Sequence, residues 1–418
     1  MREHRRRALP VLLSALLTIM ALAPGSAGLA GTVDGAASAT GPLGAGATMA
    51  LTVAGRGGIP ATGVAAVALN VTATNATEPT FLTVHPSGSV RPDASNLNVG
   101  PGETVANLVI SDVGADGAVV LFNDRGRVDV VVDVAGWFDA GSGFTALQPA
   151  RVLDSRKGGH TLDGSAIGFG PMPPRSTVTF PVLNRAGVPS SGVGSVVLSV
   201  TAVGASEDSF LNVYPAGHPR PASSNVNVPA GGTAANLVLV PVGEGGNLSI
   251  HNALGSVELL VDVLGWFPTA GAFVGVDAAR LADTRPRPTV DGLLSGAGGG
   301  SGLPAGATLR IPVLGRAAVP GTGVAAVALN VTAVGASAPT YLSVWPAGAA
   351  RPEASNVNVA ALGTRANVVI VPVGTDGSVE LFNAAGVTGV AVDVLGWFPA
   401  GAGYQGVLPA RLLDTRPT

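Results

Sequence analysis

The sequence predicts an all-β protein built from three tandem antiparallel β-sandwich-like repeat domains. One block occurs three times without an insertion or deletion, at 48–156, 177–285 and 308–416. Inside each block apolar residues alternate with small or polar ones at a period of two, the pattern of a strand with one face in a core. The chain also has 60 Gly and 32 Pro, which interrupt every run before a helix could form. Units of about 110 residues with short strands are typical of a β-sandwich and are large enough to fold alone.

Each block divides into seven or eight strand-like runs separated by turns. In the clearest run, Val67, Leu69 and Val71 point one way and the intervening residues point the other. Asp116-Gly117 separates two later runs, as a tight hairpin with positive φ requires. In the first block the predicted strands are 48–53, 64–74, 81–86, 95–99, 104–113, 118–123 and 128–138, with an eighth at 151–155.

The segments outside the blocks are predicted to be a signal peptide and three linkers. Arg5, Arg6 and Arg7 precede an apolar run and then small residues, which is the pattern of a secretory signal over residues 1–30. The linkers differ in length and are rich in Gly and Pro, as surface connections are. They are 31–47, 157–176 and 286–307. We therefore expect a secreted protein, extracellular or associated with the cell envelope, without a membrane span after signal cleavage.

Composition excludes several classes of chemistry. The chain contains no Cys, so it has no disulfide framework, thiolate nucleophile or Cys-ligated metal. The formal net charge is −3 and basic residues do not cluster, so a nucleic-acid partner is not expected. Neither a metal site nor a cofactor is predicted. The sequence leaves the oligomeric state open.

A motif of the form Arg-x-Leu-Asp-Thr-Arg follows the Trp-Phe strand of every block, at 151–156, 280–285 and 411–416. Two topologies are compatible with this placement. In the first, which we expect because it needs no long return, each motif completes its own domain. In the second, each motif opens the next domain and the last one returns to the first, which would close a ring.

One aspartate recurs in the middle of the most apolar strand of each block. An unpaired buried charge costs several kcal/mol, so each of these carboxylates must have a partner. We predict structural ion pairs with the repeated motif, or else with Arg91, Arg220 and Arg351. A calcium site made by the same carboxylates is the weaker alternative, because calcium needs six to eight oxygen ligands. The predicted ion-pair residues are Asp133, Arg151, Asp154, Asp262, Arg280, Asp283, Asp393, Arg411 and Asp414.

A stripe of aromatic residues is the best candidate for ligand binding. In the first block Phe81 and His85 share one strand face with Thr83, while Leu82 and Val84 face the other way. Such a stripe can stack on sugar rings, or it can pack across strands beneath a loop. Repeated Asn residues, which in the first block are those at 96, 98, 107 and 123, are expected to bond to backbone, and recognition of a sugar by this amide row is the alternative. The candidate ligand-binding residues are Phe81, His85, Phe210, Tyr214, Tyr341 and Trp345.

Several motifs together resemble the repeated extracellular modules of actinobacterial secreted and surface proteins. They are Leu-Asn-Val-Thr-Ala, Phe-Leu-x-Val-x-Pro-Ala-Gly, Ser-Asn-x-Asn-Val, Val-Asp-Val-x-Gly-Trp-Phe and Arg-Leu-Leu-Asp-Thr-Arg, and they cover nearly all of the chain after the signal. The resemblance implies an extracellular, non-catalytic module of a kind often appended to hydrolases. This chain departs from that form because it contains no catalytic domain.

The functional hypothesis is a secreted, non-enzymatic cell-envelope or extracellular-matrix repeat protein with a structural or adhesive role. The alternative is an array of carbohydrate-binding modules that recognises a cell-wall glycan or an external polysaccharide. An enzyme is not predicted, because the repeated carboxylates are better explained as ion pairs within strands than as a catalytic pair.

Overall fold

The computed structural model describes residues 31–38, 40–141 and 143–417, so the predicted signal peptide at 1–30 lies outside the described residues. The regular secondary structure of this part of the chain is almost entirely β-strand, which confirms the all-β prediction. Within it a single 3-10 turn, Glu244–Gly246, interrupts the strands.

Every repeat contributes eight strands in the same order. The first repeat has β1 (Thr48–Thr52), β2 (Val64–Thr74), β3 (Thr80–Pro86), β4 (Leu97–Val99), β5 (Val105–Asp112), β6 (Ala118–Asn123), β7 (Asp129–Asp139) and β8 (Thr145–Asp154). The second has β9 (Ser176–Pro181), β10 (Val193–Val203), β11 (Ser209–Pro215), β12 (Val226–Val228), β13 (Thr233–Pro241), β14 (Asn247–Asn252), β15 (Glu258–Pro268) and β16 (Val274–Asp283). The third has β17 (Thr308–Pro312), β18 (Val324–Val334), β19 (Thr340–Pro346), β20 (Val357–Val359), β21 (Thr364–Pro372), β22 (Ser378–Asn383), β23 (Gly389–Pro399) and β24 (Tyr404–Asp414).

These strands form six four-stranded antiparallel sheets, a number and size of sheet that match a six-bladed β-propeller. Three sheets, which we call the inner sheets, have the orders β24-β7-β2-β5, β8-β15-β10-β13 and β16-β23-β18-β21. The other three, the outer sheets, have the orders β1-β6-β3-β4, β9-β14-β11-β12 and β17-β22-β19-β20. Each outer sheet is made within one repeat, whereas each inner sheet takes an edge strand from another repeat.

The exchanged edge strands close the chain into a ring. Strand β8 pairs with β15, β16 pairs with β23, and β24 at the end of the chain pairs with β7 of the first repeat. The N-terminal segment lies against the returning strand, since the amide of Val33 donates to the carbonyl of Arg411 at 2.8 Å. The chain is therefore one closed assembly.

Two expectations from the sequence are wrong for this reason. The Arg-x-Leu-Asp-Thr-Arg motif does not complete its own domain, and the chain is not three tandem self-contained sandwiches. The boundaries at 156, 285 and 416 each fall after a strand that belongs to the next sheet in the ring. The unpaired edge of β7, β15 or β23 must be covered by a strand. Because the three edges have nearly the same sequence, the sequence does not show which repeat supplies the strand that covers each edge.

Four apolar clusters hold the ring together. Three of them each lie between the inner and outer sheet of one repeat, and the first of these includes Leu51 of β1, Val67 of β2 and Leu412 of β24. The fourth lies where the three inner sheets meet, and all three repeats contribute to it. Ala66 and Ala68 face this central cluster, so both faces of β2 are buried and the expectation of a single buried face is wrong. Small side chains there allow the three sheets to approach closely.

Six aromatic rings form a closed cycle inside the central cluster. Neighbouring ring centroids are 4.4 to 5.1 Å apart all round the cycle. Every second ring is the Phe of a Trp-Phe strand. Each ring between them belongs to the first residue of an exchanged strand or to the residue just before it. In order, the rings are Phe138, Phe144, Phe267, Phe273, Phe398 and Tyr404. Glycine precedes the Trp of each repeat for a steric reason, since a Cβ at Gly265 would lie 2.7 Å from Cζ of Phe144.

The three predicted linkers are ordered and held by a repeated ion pair. In the second linker Asp163 accepts from Nε of Arg185 at 2.6 Å, and this bond holds the pKa of Asp163 well below its usual range. The equivalent pairs are Asp34 with Arg56 and Asp291 with Arg316. The sequence signal for this contact is a Thr-x-Asp-Gly motif in each linker, at 32–35, 161–164 and 289–292. The linkers therefore belong to the repeat.

Candidate functional site

Repeated polar residues fall into two groups that lie in different parts of the ring. One group lies at the junctions, which we define as the contacts between an exchanged strand and the inner sheet that receives it. The other group lies on the outward faces of the outer sheets. Both were visible as repeated positions in the sequence, but their surroundings differ.

At the junctions, a buried aspartate is directly opposite an arginine of the exchanged strand. Arg151 of β8 lies opposite Asp262 of β15, and its Nε and Nη2 atoms donate to the two carboxylate oxygens at 2.9 and 3.0 Å. The same arginine reaches the carbonyl of Asp93 in its own repeat at 3.4 Å, so it links the first repeat to Asp262 of the second. The equivalent pairs are Arg280 with Asp393, at 2.6 Å, and Arg411 with Asp133, at 3.0 Å.

The second aspartate of the motif completes this cluster. Asp154 accepts from Arg156 at 2.7 Å and from Arg151 at 3.5 Å. Burial acts to raise the pKa of Asp154, but the bonds and charges of the two arginines outweigh it and hold the pKa below its usual value. Burial raises the pKa of Asp262 in spite of its bonds to Arg151. Asp283 and Asp414 occupy the same position at the other junctions. These arginines and carboxylates therefore form ion pairs that join one repeat to the next.

Asparagine side chains add a second set of contacts between repeats. Nδ2 of Asn70 donates to the carbonyl of Ser355 in the third repeat at 2.7 Å, and Nδ2 of Asn330 donates to Ser224 in the second repeat at 2.8 Å. Ser199 makes the third such bond, from its hydroxyl to the carbonyl of Ser95 at 3.0 Å. Each repeat is thus bonded to the one before it, all round the ring.

The aromatic stripe predicted on β3, β11 and β19 is only partly accessible. His85 and Trp345 are 6% and 3% exposed, and Nε1 of Trp345 donates to the carbonyl of Ala349 in the loop after the strand. Thr83, between the two stripe residues of β3, donates to the carbonyl of Ala94 in the equivalent loop at 2.9 Å. This end of the stripe therefore packs beneath a loop in the first and third repeats. Half-buried positions are occupied by Phe81, Phe210, Tyr341 and Tyr214.

Beside the half-buried rings, an exposed arginine lies over a ring of the adjacent strand. The guanidinium carbon of Arg91 is 4.0 Å from the ring centroid of Phe122, and that of Arg351 is 3.7 Å from Phe382. In the second repeat Arg220 donates to Oδ1 of Asn212 at 3.2 Å. Asn212 lies opposite His251, which replaces the phenylalanine. Burial and then the charge of Arg220 lower the pKa of this histidine.

We call this arrangement the Arg-capped patch. It consists of the arginine, the Phe122, His251 or Phe382 ring of the adjacent strand, the half-buried aromatic residue of the stripe, and the Asn and Thr that lie opposite the two rings in neighbouring strands. In the first repeat the Phe81 and Phe122 ring centroids are 6.1 Å apart, and in the third those of Tyr341 and Phe382 are 6.3 Å apart. The three patches are Arg91, Phe122, Phe81, Asn98 and Thr48; Arg220, His251, Phe210, Asn227 and Thr177; and Arg351, Phe382, Tyr341, Asn358 and Thr308.

Sequence reasoning offered Arg91, Arg220 and Arg351 as alternative partners of the buried aspartates. The structure places them on the outer sheets instead, where none of the three makes an ion pair within the described part of the chain. Their invariance among repeats was visible in the sequence. Their stacking on Phe122 or Phe382 was not, because it depends on how the loop after β3 or β19 folds back over the outer sheet.

Two shallow depressions lie on the surface of the ring. One, of about 210 Å³, is lined by Tyr214, Arg220 and Asp277, and His218 lies 2.8 Å from Asp277 at its rim. The other, of about 270 Å³, lies at the junction between Arg411 and Asp133. Across residues 31–38, 40–141 and 143–417, no three His, Asp or Glu side chains converge as metal ligands.

Comparison with known proteins gives little information on this chain. No family model matches it, and no curated protein matches it. Two similar solved structures come from archaeal viruses. One, described as "The Triple Jelly Roll Fold and Turret Assembly in an Archaeal Virus", has a TM-score of 0.21 and 9% identity and covers 85% of this chain and 84% of its own. The other, "Life in the extremes: atomic structure of Sulfolobus Turreted Icosahedral Virus", has a TM-score of 0.20 and 10% identity, with 87% and 86% covered.

Neither TM-score is high enough for a conclusion about fold or function. In the described ranges, no helix has both the length and the apolar character that a membrane span requires.

Proposed function

We propose that this chain is a secreted, non-enzymatic protein of the cell envelope or extracellular matrix, with a structural or adhesive role. The observation that carries the proposal is the presence, at the same positions of all three outer sheets of one closed ring, of an Arg-capped patch, with the arginine over an aromatic ring in the first and third repeats and bonded to Asn212 in the second. The proposal rests further on the export signal predicted for residues 1–30 and on the resemblance to extracellular modules.

A ring with three equal patches is suited to multivalent attachment. When two sites on one body engage the same surface, the second binding event is intramolecular, and overall affinity can exceed that of a single site by a factor of about 100 or more. Each outer sheet packs on an inner sheet, and the three inner sheets share the central cluster, so little freedom is lost when several patches bind together. Weak contacts at each patch would therefore add up to firm attachment.

The proposal of a non-enzymatic role is supported by what the repeated charged groups do. Asp133, Asp262 and Asp393 each accept from a guanidinium group across a strand pair. These aspartates recur because each of the three inner sheets has one edge that is paired with a strand from another repeat.

The second candidate function is an array of carbohydrate-binding modules. It is favoured by the half-buried rings of Phe81, Phe210 and Tyr341, each of which lies opposite an asparagine in the neighbouring strand. A partly open ring beside an amide is an arrangement that can stack on a sugar and orient it. The two candidates are compatible, since a glycan could be the surface to which the ring adheres.

The proposal is tested by removing the patches one at a time from the full mature chain. Arg91, Arg220 and Arg351 are replaced by Gln singly, in pairs and together, and retention on purified cell envelope is measured. Retention should fall at each step, with a loss of more than about tenfold in apparent affinity for the triple variant.

Replacement of Arg125 by Gln is the matched control, because Arg125 is exposed and lies outside the patches. Thermal unfolding midpoints of all variants verify the fold. Retention of the triple variant equal to that of the unchanged protein, or no retention of the unchanged protein, would contradict the proposed function.

A further inference from the structure

We propose that the ligand of each Arg-capped patch is an acidic sugar, with its carboxylate or phosphate bound by the arginine and a sugar ring stacked on Phe81, Phe210 or Tyr341. This inference rests on the proposed function and adds the chemical class of the ligand. It is carried by three features of the patch: an uncompensated cation, unused hydrogen-bond donors and a partly open aromatic ring.

The uncompensated cation distinguishes these arginines from the other arginines repeated in all three copies. The arginines that bond to the linker aspartates, represented by Arg185, do so at 2.6 Å. The first arginine of each motif is represented by Arg280, which bonds to Asp393 at the same distance. Arg156, the second arginine of its motif, bonds to Asp154. Among the arginines repeated in all three copies, only Arg91, Arg220 and Arg351 are exposed without a carboxylate partner in the described part of the chain. A chain with a formal net charge of −3 thus keeps one free cation at the same place in every repeat.

The position of Arg91 and Arg351 over an aromatic ring prepares these two arginines to bind an anion, and in the second repeat the bond to Asn212 restrains Arg220. A guanidinium group that lies over a ring has one face occupied, while its N–H groups are directed outward in its own plane. That plane is where a carboxylate or phosphate accepts two parallel hydrogen bonds. The ring also restricts the side chain before the ligand arrives, which lowers the entropy cost of binding.

The neighbouring asparagine supplies a further donor in all three patches. A serine hydroxyl donates to the amide oxygen of Asn98, Asn227 or Asn358 at 3.2, 3.2 and 3.1 Å. Because the oxygen is occupied, the amide nitrogen is left to donate. The patch therefore offers N–H groups from Arg and Asn, joined in the first and third repeats by the hydroxyl of Thr48 or Thr308, whereas the hydroxyl of Thr177 is bonded to His251; this set complements an acceptor-rich anion.

The open ring favours a sugar over an acidic peptide. Phe81, Phe210 and Tyr341 are half-buried rings beside an amide, and a sugar presents an apolar C–H face and hydroxyl groups to such a pair. An extended acidic peptide would bind through its backbone at a sheet edge, whereas these side chains lie on a sheet face.

Binding of the full mature protein to four soluble probes is the test. The probes are a uronic-acid oligosaccharide, a neutral oligosaccharide of the same linkage and length, and poly-glutamate; a polyol-phosphate polymer separates a phosphate ligand from a carboxylate ligand. One of the two acidic carbohydrate probes should bind at least about tenfold more tightly than the neutral sugar. Binding should weaken as NaCl rises from about 50 to about 500 mM, because exposed ion pairs are screened by salt.

Variants of the arginines separate the role of charge from that of geometry. Changing all three arginines to Gln should abolish the preference for the acidic sugar, and changing all three to Lys should restore only part of it, because lysine keeps the charge without the planar pair of donors. Equal binding of acidic and neutral sugars, or equal binding of poly-glutamate, would overturn the inference. In either case, loss of envelope retention in the triple Gln variant would leave the proposed function standing. If envelope retention of the unchanged protein is absent, both proposals fail.

Discussion

The junctions and the Arg-capped patches each contain an arginine that occurs in all three repeats, but the two sets of arginines differ in burial and in their partners. At a junction, Arg280 is largely buried, bonds to Asp393 and Asp283, and joins two repeats. On a patch, Arg351 is exposed, lies on Phe382 and has no carboxylate partner in the described part of the chain. Repetition in the sequence therefore does not distinguish an arginine that the ring requires from an arginine that is exposed and has no carboxylate partner in the described residues. Burial and the presence of a partner distinguish them.

This difference has an energetic consequence. A buried charge that loses its partner costs several kcal/mol, whereas an exposed cation on a ring contributes about 1 kcal/mol or less. Changes at the junctions should therefore be detected in stability, and changes at the patches in binding.

The largest effect should come from removing the strand that closes the ring. Deletion of residues 404–418 leaves the edge of β7 unpaired and removes Leu412 and Leu413 from the first cluster and Tyr404 from the central one. We expect loss of cooperative unfolding, measured by circular dichroism. A peptide of residues 404–416 added in trans should restore it, and deletion of 417–418 alone is the control. A stable, monomeric deletion variant would show that the repeats fold independently.

A matched pair of substitutions compares a junction with a patch directly. Arg280→Met leaves Asp393 buried without its arginine partner, while Asp283 keeps Arg285, and should lower the free energy of unfolding by about 3–5 kcal/mol. Arg351→Met loses only its contact with Phe382 and should lower it by about 0.5–1 kcal/mol. Denaturant unfolding measures both values. Equal losses for the two variants would refute the distinction between junction and patch.

A smaller effect is expected at the close approach beside the aromatic cycle. Gly265→Ala places a Cβ within 2.8 Å of a Phe144 ring carbon and of the Thr145 carbonyl. The exchanged strand must shift, and the free energy of unfolding should fall by about 1–3 kcal/mol. Gly321→Ala is the control, since its Cβ would meet no atom within 4 Å and the first repeat carries Ala61 at this position. An unchanged midpoint for Gly265→Ala would mean that the junction is loosely packed.

The sequence predicted individual strands more accurately than their partners. The predicted runs 64–74 and 128–138 correspond to Val64–Thr74 and Asp129–Asp139, because alternation of apolar residues is a local property. The run predicted at 151–155 is instead the end of Thr145–Asp154, and its partner is in the next repeat. Its earlier residues are less apolar and half-exposed, so the local pattern did not mark them as a strand.

The candidate site could be read from the sequence only in part. Phe81, Phe210 and Tyr341 were proposed from alternation alone, and they lie half-buried on the outer sheets. His85 and Trp345 lie on the same face but beneath a loop, and alternation carries no information about what covers a face. The arginines of the patches were noticed as repeated residues, while their place over a ring depends on a loop conformation.

The sequence by itself determined the all-β character, the three copies, and the need of each buried aspartate for a partner, because strand periodicity and the cost of burying a charge act locally. The tertiary structure alone decided that the copies exchange strands and close into a ring. It also decided which arginines form ion pairs at the junctions and which are exposed without a carboxylate partner in the described residues. The physical reason is that three near-identical strand edges offer the chain equivalent pairings, and only the packing of all three inner sheets on one central cluster selects among them.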